Sequence, residues 1–419
     1  MSFYLLQRTS IFSYKSIDCI EIDDCPCPVI SNSLSYYLYD IKEKIDRHEY
    51  DWDTCKKYTN PYEYIHTPVP AKKKCIAMHK PLSRSYFKMI EMMNIFNLKG
   101  DSRPIKSFHL AEGPGGFIEA LAHLRNCPHD SYVGMTILDE KSDPNIPGWK
   151  KTAQFLRENP NVYIETGQDN TGNILSIANL VGVKEKYGSS MDLITADGGF
   201  DFSLDFNSQE INITKLLFAQ ICFAVTLQKR GGSFILKIFD CFMQHTIDLL
   251  YILSSFYEKV YIMKPYTSRY ANSEKYIICK GFIHTSNNAF LPHLYSIFEK
   301  TIASEKHINR FLTIPIPHCF ISKLEEYNVI FGQQQIENIF FTISLIENKY
   351  KQDKVLHLIK TNVQKCIAWC TKYNVPFNHL PVTVTNIFLD TKEFVEDNAF
   401  VQSGQSLQVV ESNNTIFDV

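Results

Sequence analysis

An α/β fold, with a seven-stranded, mostly parallel sheet and helices on both faces, is predicted by three features of this 419-residue chain. Short apolar segments alternate with longer helical ones through its middle, the pattern of strand–helix–strand crossovers. A glycine-rich turn, Glu112-Gly113-Pro114-Gly115-Gly116, sits between the first of these strands and a helix. Two later apolar runs carry charge: Met191-Asp192-Leu193-Ile194-Thr195-Ala196 leads into Asp197, and Gly231-Gly232-Ser233-Phe234-Ile235-Leu236 into Lys237.

Strands are predicted at Ile105–Ala111, Ser131–Thr136, Val162–Glu165, Asp192–Ala196, Ser233–Phe239, Val260–Met263 and Lys275–Lys280. Helices are predicted at Ser83–Asn97, Gly116–Leu124, Trp149–Glu158, Ser208–Gln228 and Cys241–Tyr257. These make a core domain over residues 80–285. Residues 1–79 form an N-terminal extension rich in Tyr, Asp and Pro, with a short helix at Ser33–Arg47. Residues 286–385 read as a helical accessory region, with helical apolar spacing in Ile336–Glu347 and Val355–Cys370. Residues 386–419 are polar and weakly patterned, an edge element or a tail.

With 45% hydrophobic and 21% charged residues, the composition is that of a chain with a large core. No run of about 18 uncharged apolar residues occurs, so no transmembrane helix is expected. The N-terminus has too short an apolar core for a secretory signal. A soluble cytoplasmic protein without a membrane partner is therefore expected. The Ile-, Asn- and Lys-rich composition would suit a large DNA virus. Twelve cysteines are scattered. Cys25/Cys27 and Cys366/Cys370 lie close together but lack zinc-site spacing, so reduced thiols and no metal are expected. The net charge is −2, so a nucleic-acid partner requires a local basic patch. Candidates are Lys72-Lys73-Lys74, His79-Lys80 with Arg84, and Lys264 with Arg269. Each alone fits a solvated face equally well.

The glycine turn lacks the Gly-Lys-Ser/Thr ending of a phosphate loop and the G-x-G-x-x-G spacing of a dinucleotide site. Its glycines still let backbone N–H groups approach a ligand. Ligands of such sheets bind beyond the carboxyl ends of the strands. That rule puts Gly113, Asp197 and the end of the Lys237 strand on one rim. A lysine inside an apolar strand needs partners, because an unpaired buried ammonium is very unfavourable. Lys88, on the helix before the first strand, and Glu274, at the start of the last, join Asp197 and Lys237 there.

Four segments carry a family resemblance: Gly-Pro-Gly-Gly-Phe at 113–117, Ala-Asp-Gly-Gly-Phe at 196–200, Ile-Leu-Lys-Ile-Phe-Asp at 235–240 and Ser-Arg-Tyr-Ala-Asn-Ser-Glu-Lys-Tyr at 268–276. Their order and context resemble the RrmJ/FtsJ-type RNA 2′-O-methyltransferases, and most of all the enzymes that methylate the first nucleotides after an mRNA cap. Thr59-Asn60-Pro61-Tyr62-Glu63 resembles viral relatives. The resemblance implies a Rossmann-like fold that uses S-adenosyl-L-methionine, and a catalytic tetrad of Lys88, Asp197, Lys237 and Glu274. A ribose hydroxyl must lose its proton as it attacks the methyl group. A lysine accepts that proton only when deprotonated. Lys237 is the expected base, with the other three holding geometry and charge.

The resemblance also implies a cofactor pocket. The backbone of Gly113, Pro114, Gly115 and Gly116 would approach the methionine end, with Phe117 at the turn's end packing under the helix. Thr136, after Met135, would lie at the ribose or adenine. Asp169 matches an acidic position that contacts adenine, although an Asx-turn explains it equally. Asp197 borders the pocket. Relatives usually carry Asp at the position of His109 and a small residue at that of Glu112. The acid is expected either to have moved to Glu112, to meet the cofactor's ammonium, or to be lost with some affinity. Lys80, Arg84 and Arg269 are expected on RNA phosphates, and Trp149 or Tyr266 on a stacked base. The partner implied is RNA with a capped 5′ end, and the helical C-terminal region is open to a protein partner. Methylation of uncapped ribosomal or transfer RNA, or a non-catalytic RNA-binding scaffold, remain alternatives. The loop spacing disfavours a nicotinamide-dependent oxidoreductase.

Overall fold

The computed structural model describes residues 3–9, 12–138, 148–149, 151–199, 207–285, 289–348 and 352–378; the expectation for 386–419 falls outside them. The strands are β1 (Phe3–Leu6), β2 (Ile17–Ile22), β3 (Lys106–Leu110), β4 (Ser131–Met135), β5 (Val162–Glu165), β6 (Met191–Ala196), β7 (Gln228–Ile238), β8 (Tyr257–Met263), β9 (Lys275–Phe282) and β10 (His307–Leu312). The helices are α1 (Asn32–Asp46), α2 (Glu49–Thr59), α3 (Ser85–Ile95), α4 (Gly116–Arg125), α5 (Ala153–Glu158), α6 (Ile177–Tyr187), α7 (Gln209–Asn212), α8 (Thr214–Leu227), α9 (Gln244–Phe256), α10 (Leu291–Ala303), α11 (His318–Glu347) and α12 (Gln352–Lys372).

The main sheet has the order β1-β8-β9-β7-β6-β3-β4-β5. Strands β5, β4, β3, β6 and β7 run parallel, and β9 enters antiparallel between β7 and β8. The central strands are largely buried on both faces because helices cover both faces. The sheet has eight strands, not the predicted seven. The additional one, β1, comes from the N-terminal segment and pairs antiparallel with β8.

A second difference lies at His307–Leu312, within the region read as helical. It is β10, an antiparallel partner of β2. Asp248 of α9 fixes it there, accepting the backbone N–H groups of Phe311 and Leu312 at 2.9 and 3.1 Å.

The terminal regions pack on the sheet as part of one compact unit, residues 1–380. Helix α11 turns Phe320, Leu324, Tyr327 and Phe331 toward the sheet core, and Ile339, Ile343 and Ile346 toward α1 and α2. Thr59 and Thr342 join hydroxyls at 2.7 Å, and Asn362 of α12 donates to the Tyr58 carbonyl at 2.8 Å. Among the described residues no helix is long and apolar enough to cross a membrane.

Candidate active site

Register brings the charged residues together. Ala196 of β6 lies opposite Leu236 of β7, so Asp197 follows beside Lys237. Lys237 in turn lies opposite Tyr276 of β9. Directly opposed residues project to the same face, and Glu274, two residues before Tyr276, shares it. Lys88 meets this row from α3.

The contacts form one connected chain. Lys237 Nζ donates to the Asp197 carbonyl at 2.7 Å and lies 3.3 Å from Asp197 Oδ1. The Tyr276 hydroxyl donates to the same Oδ1 at 2.8 Å. Lys88 Nζ lies 2.7 and 2.8 Å from the two Glu274 oxygens and 3.3 Å from the Tyr276 hydroxyl. Ser268 donates to Glu274 at 2.7 Å. Lys88 and Glu274 are buried, whereas Lys237 and Asp197 keep 12% and 16% of their side chains exposed. The outer pair is therefore the one a substrate can reach. Burial lowers the pKa of Lys88 against the pull of Glu274. Burial alone would raise that of Glu274, but Lys88 and Lys237 hold it well below the usual carboxylate range.

The segment before Glu274 is tied from beneath. Buried Lys264 donates to the carbonyls of Asn272 and Glu274, and burial lowers its pKa to about 7. Lys264 is thus a strut beneath the site and not part of a surface patch. Buried Glu91 of α3 accepts the N–H groups of Tyr266 and Thr267, each at 2.8 Å, and Trp369 Nε1 of α12 at 2.9 Å.

On the cofactor side, the ends of β6, β3, β4 and β5 lie next to one another. Gly115 has φ +110°, a conformation that favours glycine. A Cβ on Gly113 would come within 2.9 Å of the Gly148 carbonyl oxygen, so only bare backbone fits there. Thr136 meets the Asp169 loop, with Leu138 N–H donating to the Thr171 carbonyl at 2.7 Å. Bare glycine backbone, the Asp197 carboxylate, the Thr136 hydroxyl and the Asp169 loop suit a ligand carrying an ammonium, a ribose and a base.

Four residues singled out from the sequence for the cofactor pocket have local duties. Glu112 Oε1 accepts the N–H groups of Phe117 and Ile118 at 2.8 and 2.9 Å, so it caps α4. Burial pushes the Glu112 pKa up to about 8. Phe117 is fully buried, its ring 6.1 Å from that of Tyr276. Asp169 Oδ1 accepts the Thr171 N–H and hydroxyl and the Asn179 amide, the Asx-turn arrangement. Slight burial would raise the Asp169 pKa, but these bonds bring it to about 2. His109 is buried between Ser107 and Thr195, at 2.8 and 2.7 Å, and burial lowers its pKa to about 3. It is a neutral core residue.

Among residues expected on RNA, Lys80 is exposed. Arg84 has an enclosed Nη1 with no protein partner. Burial, then nearby Arg269, lowers the Arg84 pKa. Arg269 is held by Glu63, through Nε at 3.0 Å and Nη2 at 2.6 Å. The half-buried Trp149 lies against β4, where a Cβ on Gly134 would fall 2.5 Å from its ring. Tyr266 stacks on Tyr62, ring centroids 4.9 Å apart. Among the described residues the cysteines are free and form no candidate metal group.

Sequence reasoning gave no role to Tyr276 or Glu91, and it put Lys264 in a basic patch. Tyr276 carried a usable signal, since strand periodicity sets it on the face of Glu274.

The profile of the FtsJ-like methyltransferase family matches residues 81–282. The chain is 30% identical over 318 residues to "Cap-specific mRNA (nucleoside-2′-O-)-methyltransferase 2" of Pongo abelii, covering 74% of this chain and 41% of that protein. It is 30% identical over 266 residues to "Cap-specific mRNA (nucleoside-2′-O-)-methyltransferase 1" of Dictyostelium discoideum, covering 57% and 34%. The counterpart of Leishmania braziliensis is 28% identical over 283 residues, covering 62% and 67%. The chain thus spans about two fifths of the Pongo protein. Over residues 81–282 it carries a domain of the FtsJ-like methyltransferase family.

Proposed function

We propose that this protein methylates a ribose 2′-hydroxyl of RNA at the cap-proximal nucleotide of mRNA. The observation that carries the reading is the connected row Lys88–Glu274–Tyr276–Asp197–Lys237. The cap-specific enzymes among its relatives support the choice of substrate.

When bound, S-adenosylmethionine supplies an electrophilic methyl group. Gly113, Pro114, Gly115 and Gly116 would hold its methionine end, and Thr136 and Asp169 its nucleoside. Asp197 orients the Lys237 ammonium group through two contacts. Lys237, at the open end of the row, takes the proton from the attacking hydroxyl in its neutral amine form, after losing its own extra proton to solvent. Glu274 neutralises Lys88, so the inner pair acts as a fixed support. Exposed Lys80 meets a phosphate of the substrate, and the enclosed Arg84 guanidinium adds positive charge beside Lys88 and Glu274. The described residues of 1–79 and of 286–378 act as accessory regions that brace the domain at 80–285. The helical C-terminal region also offers a face for a protein partner.

Three matched RNAs test the substrate: one with a methylated cap, one with an unmethylated cap and one uncapped. Labelling confined to capped RNA supports the reading. Equal labelling of all three contradicts cap specificity while leaving 2′-O-methylation intact.

A further inference from the structure

We propose that His79, Glu119 and His123 form a site for a divalent transition-metal ion, zinc by ligand chemistry, joining the segment before α3 to helix α4. Ligand atoms of the three residues all lie within 4.8 Å of one another. His79 Nε2 is 2.7 Å from Glu119 Oε1. Glu119 and His123 stand four residues apart on α4, hence on one face of the helix. The two imidazole rings meet edge to face, centroids 4.9 Å apart.

The surroundings orient these groups as the outer partners of a metal site do. Leu82 N–H donates to Glu119 Oε2 at 2.8 Å and leaves Oε1 facing His79. The Tyr86 hydroxyl lies 3.1 Å from His123 Nδ1 and leaves Nε2 for an ion. Two imidazoles and a carboxylate make a common zinc donor set, with bonds of about 2.0–2.2 Å. Tetrahedral bonds of that length hold ligand atoms about 3.3 Å apart, so His79 and Glu119 separate by roughly half an ångström on binding. Glu119 is buried and His123 exposed, so an ion enters from solvent and keeps a position open to water.

The ion would act as a cross-link. His79 lies shortly before Ser83-Arg84-Ser85 at the entry to α3, and α4 begins on the glycine turn. Coordination joins the element that presents Arg84 to the element that opens at Gly116. The proposal does not rest on the choice of methyl acceptor.

Cobalt(II) titration of the full chain, stripped of metal with a chelator, is the test. One equivalent should bind in or below the micromolar range, with visible d–d absorption and no thiolate charge-transfer band. Zinc should displace it, and either ion should raise the melting temperature. His123→Ala and His79→Ala should each weaken binding by at least about tenfold, since loss of even an outer partner typically removes 10–100-fold. The exposed position of His123 lets its variant be checked for an unchanged metal-free melting temperature. Absence of binding, affinity unchanged in His123→Ala, or a thiolate band would each overturn the proposal. The first outcome would leave a plain His79–Glu119 hydrogen bond, and the last a cysteine site elsewhere.

Discussion

Tyr276 and Asp197 are joined by a 2.8 Å hydrogen bond across the strand that carries Lys237. The phenol also faces Lys88 at 3.3 Å. It is therefore the link between the buried pair and the reachable pair. Tyr276→Phe keeps the ring in its fully buried place and removes only that link. Losing a buried hydrogen bond to a charged group should lower stability by about 1–3 kcal/mol. Misplacing Asp197 and Lys237 should lower kcat by about 10–100-fold with little change in KM. Denaturant melts and steady-state kinetics would check both.

Trp369 reaches the site through Glu91. Its indole N–H is one of three donors that hold the buried carboxylate, and the other two are the backbone of Tyr266 and Thr267, on the way to Glu274. Trp369→Phe should cost about 2–3 kcal/mol through the lost bond and reduced packing. It should also lower kcat at temperatures where the variant stays folded. Normal kcat in the folded variant would show that α12 supports stability alone.

Glu112 sets a pH dependence whose sign follows from burial. Its folded pKa is raised to about 8 from an ordinary value near 4.5. The unfolded chain then ionises first as pH rises. Stability is full below about 4.5 and falls until the folded group ionises near 8. Glu112→Gln retains an Oε1 acceptor for Phe117 and Ile118 and has no proton to lose. Relative to the natural protein, the variant should gain little at pH 4.5 and on the order of 2–4 kcal/mol by pH 8. Melting curves across that range give the answer, and a pH-independent difference would rule out the burial argument.

Lys42 ties the N-terminal segment to the end of β7. Its ammonium lies 2.9 Å from Asp240, and Lys275 shares that carboxylate at 3.5 Å. All three are buried. Lys42→Met should cost about 3–5 kcal/mol, because Asp240 loses its nearer cation. Lys42→Met with Asp240→Asn should recover part of the loss. Urea unfolding of the two variants separates the ion pair from simple packing.

The sheet was readable because its central strands are apolar on both faces and punctuated by glycine and charge. Asp197, Lys237 and Glu274 were readable because strand ends converge on one rim, and Lys88, on helix α3, through the family resemblance. β1 was not, since Phe3-Tyr4-Leu5-Leu6 is short and its partner, β8, lies more than 250 residues later in the chain. β10 has the same difficulty with β2, and its bulges break the alternation that marks a strand. The Glu63–Arg269 pair joins residues 206 positions apart, and no local pattern announces it. Glu112 was legible as an acid out of place, but its role as the α4 cap required the backbone geometry of the turn.

The most direct measurement uses tritiated S-adenosylmethionine, capped RNA, and the natural protein beside Lys237→Ala, followed by nucleoside analysis of the product. Label should appear in the 2′-O-methyl nucleoside next to the cap. Lys237→Ala should lose at least about 100-fold in rate while keeping its melting temperature. Label on a base, or near-natural transfer by Lys237→Ala, would contradict the assignment of Lys237 as the group that takes the ribose proton.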